Sequence, residues 1–244
     1  MFDHVTIRAA DRTASERFYR TMLGPLGIEP THAEEEGIEW DDFSILAAED
    51  ARRVTRGLHV AFVARSRADV ERAWQAGIDA GYADAGQPGE RRQYRPDYCG
   101  AFLRDPDGNS VEAVHHGDTR RGGHIDHLWI GVRDLDVSER FYGGLSRHLG
   151  LRPGRRWEQG VQFRGAWATC SLVADGRPPT ENLHVAFPAP DRETVRDFHA
   201  AALAAGHESA GAPGERPQYH PGYYAAFVLD PDGTSVESVF HDRR

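Results

Sequence analysis

One stretch occurs twice in this chain, and the repeat restricts how the chain can fold. Residues 101–112 read AFLRDPDGNSVE, and residues 226–237 read AFVLDPDGTSVE. In each copy a strand-like run leads into Asp-Pro-Asp-Gly, and a second strand-like run follows. Proline presets φ at the second position of a turn, and glycine supplies a left-handed conformation. Each copy therefore predicts a β-hairpin.

The repeat extends over the whole chain. Residues 3–5 (DHV) return as residues 126–128 (DHL), and the LHVAF of residues 58–62 returns unchanged later in the chain. Self-similarity over so long a period indicates duplicated domains. The two domains are predicted as residues 1–120 and 121–244. The polar, glycine-ending segment 119–123 is the natural link between them.

Within each half, a shorter unit of strand, helix and strands occurs twice. Residues 3–9 alternate apolar and polar side chains, as a half-buried strand does, and residues 11–23 have helical spacing. Residues 38–48 are again strand-like. A second strand (58–64) and helix (67–80) follow before the hairpin ends the unit. The chain is therefore predicted to be α+β, with four βαβββ modules and mixed, curled sheets.

Three residues in each half combine a metal-ligating side chain with a place on a predicted strand. The six candidate metal ligands are His4, His59, Glu112, His127, His184 and Glu237. An unpaired carboxylate on a half-buried strand is costly, and a cation would stabilise it. Imidazole and carboxylate together suit a divalent Fe, Mn, Co, Ni or Zn ion, and three protein ligands leave positions open for a substrate.

The sequence leaves open how these ligands group. We expect each half to close its own cup, with His4, His59 and Glu112 around one ion and the equivalent three residues around the other. In the alternative, the halves exchange modules, so that His4 joins ligands of the second half. A strand histidine also has a plainer role as a hydrogen-bonded core residue. Most histidines that we take to lack a counterpart, His241 among them, are predicted to lie on the surface.

Composition narrows the classes of function. The formal net charge of −9 argues against nucleic acid as a partner, because phosphate binding needs a basic face. The two cysteines, Cys99 and Cys170, make neither a disulfide framework nor a zinc motif. No apolar run approaches the ~18 residues of a membrane span. A cytoplasmic protein with no membrane partner is therefore expected.

These motifs resemble those of the vicinal oxygen chelate superfamily, which includes glyoxalase I, bleomycin- and fosfomycin-resistance proteins, methylmalonyl-CoA epimerase and extradiol dioxygenases. The resemblance rests on the Asp-His start of each half, the Phe-Tyr pair in its first helix, the LHVAF strand and the DPDG hairpin with its Ser-Val-Glu. It covers essentially the whole chain, once per half. It implies a glyoxalase-like fold, in which βαβββ modules pair into two curled-sheet cups, each around a divalent metal ion.

Departures from the better-known members leave the reaction open. Glyoxalase I adds a second glutamate on the strand that closes the first module, but residues 43–47 and 168–173 hold no carboxylate here. Extradiol dioxygenases add a catalytic histidine shortly before the second histidine ligand, and the corresponding regions here have none. Bleomycin-binding proteins generally lack these histidine and glutamate ligands, all of which are present in this chain.

The segments before each final hairpin hold the other candidate site residues. Tyrosine can orient or protonate a substrate oxygen, and arginine can hold a carboxylate. Tyr98 and Tyr223 are the candidate catalytic residues. The candidate substrate-binding residues are Arg91, Tyr94, Arg216 and Tyr219. The alternative is that all six are turn residues that pack against the rim of the fold.

The resemblance implies a metal-dependent enzyme of the lyase, isomerase or dioxygenase type. Its substrate would be a small molecule that chelates the divalent ion through two adjacent oxygens. The alternative is a resistance protein that binds a small molecule or antibiotic with little or no turnover. A monomer or a homodimer is expected in either case.

Overall fold

We describe the fold from a computed structural model, in which residues 1–49, 53–117 and 122–242 are described. Most of the predicted link, residues 119–121, lies outside these ranges. Within them, the chain runs through four successive βαβββ modules. The predicted α+β class and module count are confirmed.

The first half supplies two modules. The first module contains β1 (His4–Ala9), α1 (Arg12–Leu23), β2 (His32–Ala33), β3 (Gly37–Trp40) and β4 (Phe43–Ala47). The second contains β5 (Leu58–Val63), α2 (Arg67–Asp79), β6 (Asp84–Glu90), β7 (Cys99–Arg104) and β8 (Ser110–His115). The strand-like segment 38–48 is thus two strands joined by a tight turn.

The second half repeats the order. The third module contains β9 (Ile125–Gly131), α3 (Leu135–Leu145), β10 (Arg152–Trp157), β11 (Gly160–Arg164) and β12 (Thr169–Val173). The fourth contains β13 (His184–Pro188), α4 (Arg192–Ala204), β14 (Ser209–Glu215), β15 (Tyr223–Leu229) and β16 (Ser235–His241).

The modules pair into two curled sheets of eight strands each. The first sheet joins the fourth and first modules in the order β14-β15-β16-β13-β1-β4-β3-β2. The second sheet joins the third and second modules in the order β10-β11-β12-β9-β5-β8-β7-β6. Strands β1 and β13 meet antiparallel at the middle of the first sheet, and β5 and β9 do so in the second.

The expectation that each half closes its own cup is wrong. Each half gives one module to each sheet, so both sheets are built from both halves. The sequence could not decide this, because β1 and β9 carry nearly the same pattern, as do β5 and β13. Either pairing buries the same apolar faces, so hydrophobic patterning alone does not distinguish them.

Alternation along the central strands places the candidate ligands on one face. In β1, Val5 and Ile7 are fully buried against the helices, and His4 lies on the opposite face. Asp11 precedes helix α1 as its N-cap, and its side chain accepts a hydrogen bond from the Ala14 N–H at 2.9 Å. The helices and their apolar core therefore cover one face of each sheet, and the other face forms the cup.

The predicted hairpin is present in both halves. In the first, Asp105 Oδ1 accepts hydrogen bonds from the backbone N–H groups of Asp107 (2.9 Å) and Asn109 (2.8 Å). Gly108 takes a left-handed φ of 88°. The turn is tied to helix α1, since the Tyr19 hydroxyl donates to Asp105 Oδ2 at 3.2 Å. This turn fixes the start of β8 and thus the position of its glutamate.

Candidate metal centres

The second sheet brings together one histidine and one glutamate of the first half with one histidine of the second. They are His59 on β5, Glu112 on β8 and His127 on β9. The two Nε2 atoms lie 3.2 Å apart, and Glu112 Oε2 lies 3.2 Å from His59 Nε2 and 3.5 Å from His127 Nε2. All three side chains are buried at the base of the cup. We call this set the Glu112 centre.

The first sheet holds the matching set. It consists of His4 on β1, His184 on β13 and Glu237 on β16. The two Nε2 atoms are again 3.2 Å apart, and Glu237 Oε2 lies 3.0 Å from His184 Nε2 and 3.7 Å from His4 Nε2. The histidines are partly exposed here. We call this set the Glu237 centre.

The predicted grouping of ligands is therefore wrong, and the alternative describes the molecule. His4 lies with His184 and Glu237, and His127 lies with the ligands of the first half. The cause is the exchange of modules, because each centre straddles the antiparallel junction between a strand of one half and a strand of the other.

Hydrogen bonds behind the histidines fix which nitrogen faces the centre. At the Glu112 centre, His127 Nδ1 donates to Asp126 Oδ1 at 2.9 Å. The other oxygen of Asp126 is 2.8 Å from His116 Nε2. His59 Nδ1 is 3.0 Å from the Ser110 hydroxyl. These partners hold both rings with Nε2 toward Glu112, as the outer contacts of a metal-binding histidine do.

The Glu237 centre repeats this arrangement. Asp3 bridges His4 and His241, with 2.9 Å from Oδ1 to His4 Nδ1 and 2.9 Å from Oδ2 to His241 Nε2. His184 Nδ1 is 3.0 Å from the Ser235 hydroxyl. The expectation that His241 is a surface residue without a counterpart is wrong. The missed signal is that His116 and His241 follow Glu112 and Glu237 at the same distance in sequence.

The two candidate catalytic tyrosines contact the glutamates. The Tyr98 hydroxyl donates to Glu112 Oε1 at 2.7 Å, and the Tyr223 hydroxyl donates to Glu237 Oε1 at 2.7 Å. Both side chains are buried. Burial and the adjacent carboxylate raise the pKa of each phenol far above its usual range. Each tyrosine thus holds one carboxylate oxygen and leaves the other toward the histidines.

The charges at the Glu112 centre are suited to a cation. Burial raises the pKa of Glu112, but hydrogen bonds from His127 and His59 outweigh it and lower the pKa overall. Burial lowers the pKa of His59 below its usual range. Burial also acts to lower the pKa of His127, but Asp126 and Glu112 raise it to about 9. The centre therefore combines an ionised carboxylate with imidazoles held in a fixed orientation.

The donor set fits a divalent transition-metal ion. Three ligands bound to one ion at ~2.0–2.2 Å are separated by roughly 3.0–3.4 Å, and the two centres have separations of 3.0–3.7 Å. With Nδ1 of His127 and His4 donating to aspartate, the neutral form of either ring turns a lone pair at Nε2 toward its partner ring. A bound cation takes up the Nε2 lone pair that such a ring presents in its neutral form.

A cavity of about 1460 Å³ opens above the Glu112 centre. Its walls come from β9, β10 and the segments around β7 and β12. The aromatic residues that line it are Tyr94, Tyr98, Phe102, Trp129, Trp157 and Trp167. A concave wall rich in aromatic side chains, with convergent polar groups at its base, is typical of a small-molecule site.

The four candidate substrate-binding residues lie in different surroundings. Arg91 does not contribute to the lining of this cavity; its guanidinium donates to the Gln87 carbonyl at 2.8 Å and lies over the Phe102 ring. Arg216 makes the equivalent contacts at the other centre. Tyr94 does line the cavity, and its ring meets Trp129 edge to face at 6.0 Å.

Tyr219 is the counterpart of Tyr94 at the Glu237 centre. It is 60% exposed, and its ring lies 4.8 Å from that of Tyr223. The structure thus brings two of the four predicted residues, both tyrosines, close to the ligand sets, while both arginines brace the turn before the hairpin.

Comparison with known families agrees with this architecture. The sequence model of the Glyoxalase/Bleomycin resistance protein/Dioxygenase superfamily matches residues 1–113 and again residues 124–238. The chain belongs to this superfamily. The two matches correspond to the two halves of the sequence repeat, and the predicted resemblance is confirmed.

Individual proteins that resemble this chain are more distant. The uncharacterized protein YqjT of Bacillus subtilis (strain 168) is 26% identical over 132 residues, which are 47% of this chain and 97% of YqjT. Glyoxalase I from Zea mays superimposes with a TM-score of 0.72 at 18% identity, covering 98% of this chain and 92% of the maize protein.

A candidate dioxygenase from Bacillus subtilis subsp. subtilis str. 168 superimposes with a TM-score of 0.64 at 14% identity, covering 99% of this chain and 85% of its own. At these identities the likeness establishes the two-sheet fold of this superfamily member. In the described part of the chain, no helix is long and apolar enough to span a membrane.

Proposed function

We propose that this superfamily member is a metal-dependent enzyme that acts on a small substrate chelated through two adjacent oxygens. The observation that supports this most is the Glu112 centre. Two imidazole Nε2 atoms and one carboxylate oxygen converge within 3.5 Å of one another at the base of a large cavity. Three protein donors leave room for a chelating substrate, as catalytic metal sites require.

His59, Glu112 and His127 would hold one divalent ion, and His4, His184 and Glu237 a second. A bound divalent ion supplies Lewis-acid stabilisation of negative charge that develops on a substrate oxygen. We propose that the fixed ring orientations matter as much as the ligands. The carboxylate of Asp126 holds His127, and Ser110 holds His59, so that neither ring has to reorient when an ion binds.

Tyr98 has a positioning role in this proposal. Its hydroxyl is committed to Glu112 Oε1, and its raised pKa keeps it protonated, so it serves best as a donor that fixes the carboxylate. Tyr94 is the better candidate for direct substrate contact, because it lines the cavity and is 43% exposed. The half-buried Trp129 beside it would exclude water from the bound substrate.

We also propose that residues 1–120 and 121–244 are the duplicated units from which the protein arose. Each unit gives one module to each sheet, so one chain carries two complete ligand sets. A fused pair of this kind makes both centres without a second subunit, which leaves a monomer competent.

Metal content tests this proposal directly. The purified chain, loaded with Fe, Mn, Co, Ni or Zn and then desalted, should contain about two equivalents by elemental analysis. Glu112→Gln and Glu237→Gln should each remove about one equivalent, because an amide is a poor substitute for a carboxylate ligand. Glu181→Gln is the matched control, since Glu181 lines the same cavity but is not in the ligand set.

The proposal fails if both glutamine variants keep the metal content of the parent chain. The competing function is binding of a small molecule without turnover, and the large aromatic-lined cavity is the observation that favours it. A chain that takes up no metal, yet binds small aromatic molecules tightly and releases them unchanged, would be a binding protein.

A further inference from the structure

We propose that the substrate at the Glu112 centre is an aromatic molecule that carries a negatively charged group away from its chelating oxygens. This rests on the proposed function in one respect, namely that the ligand of the cavity is the substrate. The inference comes from the wall of the cavity and from a comparison with the other cup.

The wall beside the centre is an aromatic platform. Trp129 lies 5.9 Å from the His59 ring and 6.3 Å from the Trp157 ring. Three of the chain's five tryptophans line this cavity. Arg177 lies over one face of Trp129, 5.5 Å from its centroid. Tryptophan rings pack well on planar rings and do little for small aliphatic substrates. The platform therefore favours an aromatic ring that packs against these tryptophans beside the centre.

The rim of the same wall is positively charged. Among the described residues, no carboxylate oxygen lies within 4.0 Å of the guanidinium groups of Arg155 and Arg164, both of which line the cavity. Arg155 lies over the Trp157 ring, 5.8 Å from its centroid, and Arg164 Nε donates to the neutral side chain of Gln162 at 3.1 Å. In a chain with a net charge of −9, two cations left without a carboxylate at a cavity rim are suited to an anionic group.

The other cup shows that this wall is specific to one centre. Thr6 has the position in the first sheet that Trp129 has in the second. Thr6 pairs in parallel with Ser44, and Trp129 pairs in parallel with Ser171. Glu39 likewise takes the place of Gln162 opposite the same serines. Trp129 of the platform is thus replaced by a small polar side chain, and the neutral Gln162 by an acidic one.

The charge of the rim differs as well. Because Glu39 matches Gln162, residues 34–41, which include β3, match residues 157–164, which include β11. The former read EEEGIEWD, with five carboxylates, and the latter read WEQGVQFR, with one carboxylate and one arginine. The acidic segment of one cup is thus close to neutral in the other, where Arg155 and Arg164 line the cavity. An aromatic anion should therefore bind at the Glu112 centre and be repelled from the Glu237 centre, giving one molecule per chain.

The test uses the full chain stripped of metal, so that it does not depend on metal binding. Isothermal titration calorimetry compares 2-naphthoate with 2-naphthamide, which has the same ring and no charge. We expect about one naphthoate per chain and at least tenfold weaker binding of the amide. Arg155→Gln should weaken naphthoate binding about tenfold, as the loss of one charge-assisted contact does.

Two further variants make the result interpretable. Arg156→Gln is the matched control, because Arg156 pairs with Asp136 and Glu139 beside helix α3 and does not line the cavity; it should bind naphthoate within twofold of the parent chain. Trp129→Thr, which installs the residue of the other cup, should abolish binding. If that variant does not fold, Arg155→Gln and the amide comparison still decide.

Equal affinity for acid and amide, or equal losses in the Arg155 and Arg156 variants, would overturn this inference. Failure here is separable from failure of the proposed function. A chain that loads two metal ions but does not distinguish naphthoate from naphthamide keeps the metal centres and loses the substrate class. A chain that binds naphthoate but no metal does the reverse.

Discussion

The role of Tyr98 depends on the contacts of its hydroxyl and not only on its residue type. The sequence predicts Tyr98 as a catalytic group, since a tyrosine near a metal can protonate a substrate oxygen. In the structure its hydroxyl is buried and donates to Glu112 Oε1. Sequence could not separate these roles, because the contact joins β8 to the turn before β7 and depends on the strand register.

Tyr98→Phe separates the two roles. Phenylalanine keeps the ring packing and removes the donor, so we expect metal affinity at the Glu112 centre to fall by about 10–100-fold, as the loss of an outer contact to a ligand does. Competition with a chelator of known affinity measures this. Tyr223→Phe should do the same at the Glu237 centre only. Unchanged metal affinity with lost turnover would instead favour a direct catalytic role for Tyr98.

Among the elements, the sequence identifies central strands well and edge strands poorly. The alternation in β1 is clear because one face of that strand is buried by helices, and β5 is marked by its largely apolar run LHVAFV. Strands β6 and β14 read DAGQPGE and SAGAPGE and give no strand pattern. Both lie at the end of a sheet, and their pairing shifts register twice. An edge position tolerates glycine and proline, so tertiary pairing rather than propensity forms these strands.

The hairpin turns are predicted to be stabilising elements as well as connections. Tyr19 and Tyr142 each clamp a turn to a helix, donating to Asp105 at 3.2 Å and to Asp230 at 3.0 Å. Tyr19→Phe keeps the ring and removes one buried hydrogen bond, which should lower the free energy of unfolding by about 1–2 kcal/mol. The double variant with Tyr142→Phe should lose roughly twice as much, because the two turns share no contact.

Urea unfolding followed by circular dichroism measures the change in each variant. Metal content should stay at the level of the parent chain, since neither tyrosine contacts a candidate ligand. A midpoint that does not move in either single variant would contradict the clamp and leave the turn held by its own Asp side chain.

At the level of the whole molecule, the repeat predicts the components but not how they pair. The six candidate ligands, the four modules and the fold class follow from motifs within each half. Which module packs against which depends on contacts between β1 and β13 and between β5 and β9, far apart in sequence. Because duplicated strands present similar faces, only the complete fold distinguishes the two arrangements.

Paired substitutions test this arrangement through metal stoichiometry. In the structure, Glu112 and His127 share a centre, whereas His4 lies at the other. The double variant Glu112→Gln/His127→Ala should therefore keep about one equivalent of metal, and Glu112→Gln/His4→Ala should lose both. If each half closed its own cup, the two results would be interchanged, because His4 would then share a centre with Glu112. Each double variant lacks two candidate ligands, so a general loss of stability would affect both alike. A difference in their metal content therefore reports how the modules pair.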